Sequence, residues 1–180
     1  MVYDDENRME VALPGGVVVD ATGQGDVPVS RTGTTIMASS PVSAGVIYAA
    51  GDNLGGLLTF ANAAKVEGGG GVIMGVMLTD DAGQDADTEL WLFDSTFTAG
   101  ADNDAWAPVE VQLHTLVAVI STKESSQGWI SAGTPSVCDI EVNRRFDCTG
   151  TSLFGRLVTR GTPTEAAIDD VRVRLMLSQD

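Results

Sequence analysis

From Gly45 onward the chain alternates short apolar bursts with glycine- or aspartate-rich breaks, and no long helical pattern runs between them. The bursts are Val46 to Tyr48, Leu57 to Phe60, Val72 to Thr79, Glu89 to Phe93, Leu116 to Ser121, Val137 to Val142, Ser152 to Thr159 and Val171 to Leu177. Strands without long intervening helices must pair mostly antiparallel. The expected fold is therefore all-β: an antiparallel, jelly-roll-like β-sandwich of about eight strands. A closed barrel is the alternative. Val72-Ile-Met-Gly-Val-Met-Leu-Thr79 is the most apolar burst and reads as a central strand buried on both faces. Elsewhere alternation assigns faces. Leu90 and Leu92 oppose Trp91 and Phe93, and Val171, Val173 and Leu175 oppose Arg172 and Arg174. Pro108 to His114 reads as a turn or two of helix, and Trp129-Ile130 as part of a polar loop.

Residues 1–44 have a different texture. They are rich in Gly, Ser, Thr, Asp and Pro, with β-prone pieces at Val17-Val18-Val19, Val27-Pro-Val29 and Thr34 to Met37. Each piece is too short to form a sheet alone. The expected organisation is an extended N-terminal arm over 1–44 and a β domain over 45–180.

Charge narrows the partners. The net charge is −15. Between Lys65 and Lys123 the chain has ten Asp or Glu and no Lys or Arg. Such a chain is repelled by bare nucleic acid and by anionic membranes, so neither is an expected partner. Six arginines lie between Arg144 and Arg174, so an acidic face and an arginine-bearing face can meet in neighbouring copies. No apolar run approaches the roughly 18 residues of a membrane helix. The N-terminus lacks the basic-then-apolar layout of a signal peptide, and synthesis in a cytoplasm is expected.

Catalytic recipes find little material. His114 is the single histidine and reads as structural; no Gly-x-Ser-x-Gly elbow occurs. Asp102-Asn-Asp104 superficially resembles a calcium loop, but the sixth and twelfth positions hold Ala107 and Leu113, where Gly and Glu are required. Gly68 to Gly71 leads into a strand rather than Lys-Ser/Thr and a helix, so it reads as a tight turn and not a phosphate loop. Cys138 and Cys148 are ten apart, which excludes CxxC motifs. They read as two reduced, buried thiols, with a bridge across a hairpin as the alternative. No enzyme activity, catalytic residue, metal or cofactor is expected.

One ordered set of short patterns goes further. It comprises Tyr48-Ala-Ala-Gly-Asp-Asn-Leu-Gly-Gly-Leu-Leu-Thr-Phe60, Gly69 to Asp81, Leu90-Trp-Leu-Phe-Asp94, Asp102-Asn-Asp-Ala-Trp-Ala-Pro108 and Leu153-Phe-Gly-Arg-Leu-Val-Thr-Arg-Gly-Thr-Pro163. The set resembles a family of small virion structural proteins of tailed bacteriophages, in which a variable arm precedes a jelly-roll-like domain. The resemblance implies a capsid decoration (cement) protein on the outer surface of the head. Its implied partners are the major capsid protein and itself, as a homotrimer. A head fibre, tail or spike appendage with a carbohydrate-binding jelly-roll is the alternative. The expected contact residues are Val17, Val18, Val19, Val27 and Val29 of the arm. Arg144, Arg145, Arg172 and Arg174 are the second choice.

Overall fold

The structure is a computed structural model that describes residues 2–3, 9–10, 32–40, 42–168 and 170–180. Its strands are β1 (Val2–Tyr3), β2 (Met9–Glu10), β3 (Thr32–Ser40), β4 (Asn53–Phe60), β5 (Gly70–Asp80), β6 (Thr88–Phe93), β7 (Leu116–Ser121), β8 (Trp129–Ser131), β9 (Ser136–Asp147), β10 (Leu153–Thr159) and β11 (Val171–Gln179). One short helix, α1 (Glu110–Leu113), precedes β7. The chain divides into Met1–Arg31, where β1 pairs antiparallel with β2, and a unit spanning Thr32–Asp180.

The Thr32–Asp180 unit is a β-sandwich. Its four-stranded sheet has the order β4-β10-β6-β7, and its five-stranded sheet the order β3-β11-β5-β9-β8. Every pairing is antiparallel. The all-β sandwich read from the burst pattern is therefore the observed architecture, with eight strands from β4 to β11. One further strand comes from the region read as arm. β3 pairs with β11 over nine residues, from Ser40 opposite Val171 to Thr32 opposite Gln179. The unit thus includes residues 32–40, which a nine-residue backbone ladder with β11 orders.

The core lies between the sheets. Leu54, Leu58 and Phe60 of β4, Leu90 and Leu92 of β6, and Leu153 and Leu157 of β10 face Ile73, Val76 and Leu78 of β5, Cys138 and Ile140 of β9, and alternate residues of β11. The two predicted alternations hold. Leu90, Leu92, Val171, Val173 and Leu175 are buried, and Arg172 and Arg174 point outward.

Several elements differ from the sequence reading. β5 is central, but only its inner face is sealed: Met74 on the strand is 51% exposed. Val46 to Tyr48 forms no strand; it makes one bridge, Ile47 to Thr164, and is anchored by the buried Tyr48. β4 begins at Asn53, four residues before the Leu57 to Phe60 burst. Gly55, at φ 81°, lies in the register shift where Leu54 opposes Leu157 and Leu58 opposes Gly155. Gly68 sits in the turn at φ 70°, whereas Gly70 and Gly71 are strand residues. A Cβ on Gly70 or Gly71 would strike the carbonyl oxygen of Phe146 or Ser178 respectively. Trp129 belongs to the short edge strand β8 and packs on the core. Cys138 and Cys148 are both free and buried. They lie on and just after the same strand, roughly 30 Å apart along the chain. A hairpin bridge is therefore excluded.

Candidate functional site

The second-choice arginines occupy two ends of one sheet. Arg172 and Arg174 project from the outer face of β11, opposite Thr79 and Met77 of β5, with Met37 of β3 on the other side of Arg174. Arg145 of β9 lies opposite Val72. Seven residues of β5, roughly 20 Å, separate the row of Arg172 from that of Arg145. Arg172 pairs with Asp81 at 2.7 Å, and Arg145 with Asp180 at 3.1 Å. Arg144 and Arg174 are exposed. Val17, Val18, Val19, Val27 and Val29 lie outside the described residues.

Around Arg174 the outer face is apolar as well as cationic. Met37 is 59% exposed, and Met77 and Met176 are half-buried beside it. Met176 extends over Gly75, where an added Cβ would meet its Cε at 2.7 Å. Methionine on a surface gives a deformable apolar contact. The sequence reading saw the arginines of this patch but not the methionines. They come from three strands and are brought together only by register.

A second constellation covers the outer face of the four-stranded sheet. Trp91 and Phe93 of β6, and Phe154 and Arg156 of β10, face away from the core, and the irregular segment 94–109 folds over them. Phe93, Phe97 and Trp106 form a ring cluster, with Phe93 and Phe97 centroids 4.4 Å apart and Phe97 and Trp106 6.0 Å apart. Arg156 is fully buried and donates from Nη2 to the carbonyl oxygens of Gly100 (2.8 Å) and Ala101 (3.0 Å). Burial pushes its pKa down, and Asp102 and Asp104 oppose that shift.

Asp102 ties this segment to two others. Its carboxylate accepts from Tyr48 Oη at 2.8 Å, Ser43 N at 2.8 Å and Gly55 N at 2.6 Å. Burial, followed by the hydrogen bond to Asp102, raises the Tyr48 phenol. The resemblance of Asp102-Asn-Asp104 to a calcium loop thus has a structural explanation: the first aspartate is an acceptor for protein donors. His114 is exposed at the C-terminal end of α1, 3.9 Å from Glu110.

Between segment 95–100, segment 104–107 and α1 lies a cavity of about 720 Å³. Gln112 fixes one wall, accepting from Val109 N at 2.9 Å and donating to the carbonyl of Thr98 at 3.1 Å. Asn53, fully buried, contributes to the lining and donates to the carbonyl of Ala101 at 3.1 Å. Asn53 Oδ1 and the indole Nε1 of Trp106 are buried without a hydrogen-bond partner among the described residues.

A third group sits between the sheets' ends. Asp80, Glu165 and Asp170 are all buried. Asp80 accepts four backbone N–H groups, from Ala82, Gly83, Gln84 and Asp85. Asp170 accepts those of Ala166 and Ala167. Glu165 is pushed up to about 7, first by burial and then by Asp80 and Asp170. Asp80 and Asp170 are therefore turn-forming acceptors, with Glu165 the group whose ionisation is costly.

No family model matches the sequence, and no curated protein matches it. A solved structure of infectious bursal disease virus, Gx strain, matches 95% of this chain and 36% of that chain, at 15% identity and a TM-score of 0.41. The chain thus spans about a third of the length of that neighbour.

Proposed function

We propose that the protein is a virion structural protein: a decoration protein that binds the outer surface of a tailed-phage head as a homotrimer and braces adjacent major capsid proteins. It acts by association rather than by catalysis, and its place is the capsid surface after synthesis in the host cytoplasm. The resemblance carried by Tyr48 to Pro163 motivates this reading. The observation that carries it on the folded chain is the outer face around Arg174, with Met37, Met77 and Met176 beside it. On a molecule of net charge −15, an apolar patch bearing cations is complementary to an acidic surface. Exposed acids such as Glu67, Asp85, Asp104 and Glu110 can offer such a charge on a neighbouring copy. A contact of one face with a different face is heterologous, and a heterologous contact closes into a ring when the rotation allows it. Residues 1–31 add a second grip through backbone pairing at a neighbour's sheet edge. Several weak contacts on one trimer then act together through effective concentration.

The test uses undecorated heads and three proteins: the full chain, the chain lacking residues 1–31, and Arg174→Glu combined with Met37→Glu. The full chain is expected to sediment with heads and to run as a trimer. The charge-reversed chain is expected to run as a monomer and to bind heads at least tenfold more weakly. Undiminished binding by that variant rejects the sheet face as the contact, and undiminished binding by the truncated chain rejects the arm. A full chain that stays monomeric and never associates with heads overturns the reading.

A further inference from the structure

We infer that Glu165 is a proton-operated latch: with its carboxyl group neutral the seam between segments 42–51 and 159–168 is closed, and loss of the proton opens it. The device is built within one chain and does not depend on the shell reading. The seam is a ladder of backbone bonds between the segment that leads into β4 and the one that leaves β10. Val42 N donates to the carbonyl of Ile168 at 3.1 Å, Gly45 N to that of Glu165 at 2.7 Å, Tyr48 N to that of Pro163 at 3.0 Å and Gly51 N to that of Thr159 at 2.8 Å. Glu165 sits in the middle of this ladder, 1% exposed, and its Oε2 has no hydrogen-bond partner among the described residues.

The surroundings of that carboxyl group are hostile to charge. β5 presents Asp80, the turn before β11 presents Asp170, and the seam itself presents Tyr48. Asp80 accepts the backbone N–H groups of residues 82–85, Asp170 accepts those of 166 and 167, and the Tyr48 hydroxyl donates to Asp102, so none of the three is a free donor. β4, β6, β8 and β11 contribute Leu54, Thr88, Trp129 and Val171 to the lining around Glu165, which contains no Lys, Arg or His. The Trp129 indole N–H is itself unpartnered, so it does not serve Glu165. Burial, then Asp80 and Asp170, accordingly keep Glu165 protonated up to about pH 7. Once ionised, the carboxylate is buried, unpaired and beside two like charges. Moving it into water relieves all three penalties, and that movement draws segment 159–168 away from segment 42–51. The consequence reaches further, because Ser43 N and Tyr48 Oη both donate to Asp102. Opening the seam therefore also frees an anchor of segment 99–104.

The experiment is amide hydrogen exchange of the full chain at pH 6 and pH 8, corrected for the intrinsic pH dependence of exchange and repeated in about 1 M urea. Protection of the Gly45 and Tyr48 amides is expected to fall about tenfold between the two pH values. It is also expected to be insensitive to urea, because a local opening exposes little surface, whereas Val76 and Leu175 in the sheet centre respond to urea. Glu165→Gln, which has the shape of the neutral form, is expected to leave Gly45 and Tyr48 as protected at pH 8 as at pH 6. If that variant does not fold, Asp170→Asn removes one of the opposing carboxylates and is expected to move the midpoint of the loss below pH 7. The inference is overturned if Gly45 and Tyr48 share the protection and urea dependence of Val76 and Leu175 at both pH values, since the opening is then global. A tenfold fall that persists in Glu165→Gln, or a midpoint unmoved in Asp170→Asn, overturns it as well.

Discussion

Arg156 Nη2 lies 2.8 Å from the carbonyl oxygen of Gly100, so a fully buried guanidinium on a sheet strand holds down a loop that has no regular structure of its own. Its Nε and Nη1 have no partner among the described residues. Burial without full pairing makes this arginine an expensive fastener. Arg156→Met is expected to lower stability by about 1.5–3 kcal/mol in urea titration, the range for hydrogen bonds to a charged group. The loss should be concentrated in segment 99–104, read as faster amide exchange there than in β10. A uniform loss of protection along β10 would show that Arg156 braces the sheet and not the loop.

Glu165 gives the protein a pH dependence of unusual sign for a carboxylate. Its folded pKa of about 7 stands above its ordinary value of 4.5. Between those values the folded state keeps a proton that the unfolded state has lost, so the stabilisation is full below about 4.5 and disappears as pH rises through 7. The swing is on the order of 3 kcal/mol. Urea midpoints at pH 5 and pH 8 should show the native chain losing stability with rising pH, and Glu165→Gln should flatten that slope. An equal slope in the variant would place the titration elsewhere.

Gly71 has no room for a side chain, because a Cβ there would strike the Ser178 carbonyl of the neighbouring strand. Gly71→Ala is expected to cost about 1–3 kcal/mol or more, as overpacking does. Gly33, in open space on the edge strand β3, is the control: Gly33→Ala should change stability by less than about 1 kcal/mol. Thermal melts of the two variants decide between a steric requirement and mere flexibility.

The thiols should be silent. Burial, then Asp94 and Asp147, push Cys148 up to about 11, and burial raises Cys138. At pH 8 neither should react with maleimide until denaturant is added, and intact mass should be the same with and without reductant. Fast labelling of the native chain would mean that the β9 region opens.

The strands that announced themselves in the sequence were those with alternation over a sealed face. Leu90 and Leu92, or Val171, Val173 and Leu175, are read correctly because one row of each strand is excluded from water. The full length of β3 beyond Thr34 to Met37, and β8 altogether, were not legible for the converse reason. Thr32 to Ser40 is mostly Gly, Thr and Ser, and only pairing with β11 makes it a strand. Arg156 was legible as a lone charge in the apolar run Leu153 to Thr159, but its burial depends on a cover more than fifty residues earlier in the chain. The cavity was illegible altogether. Segment 94–109 has no period to read, and its walls are set by single bonds such as Gln112 to Thr98.

The pairing of Thr32 with Gln179 sets the two limits of the folded unit side by side, about 5 Å apart at Cα. A circular permutant would therefore need only a few linking residues to join them. New termini opened at the exposed turn around Gly133 would preserve every strand neighbour. The same adjacency means that cargo fused after Asp180 would emerge beside Thr32, whereas cargo inserted at Gly133 would stand on an exposed hairpin turn.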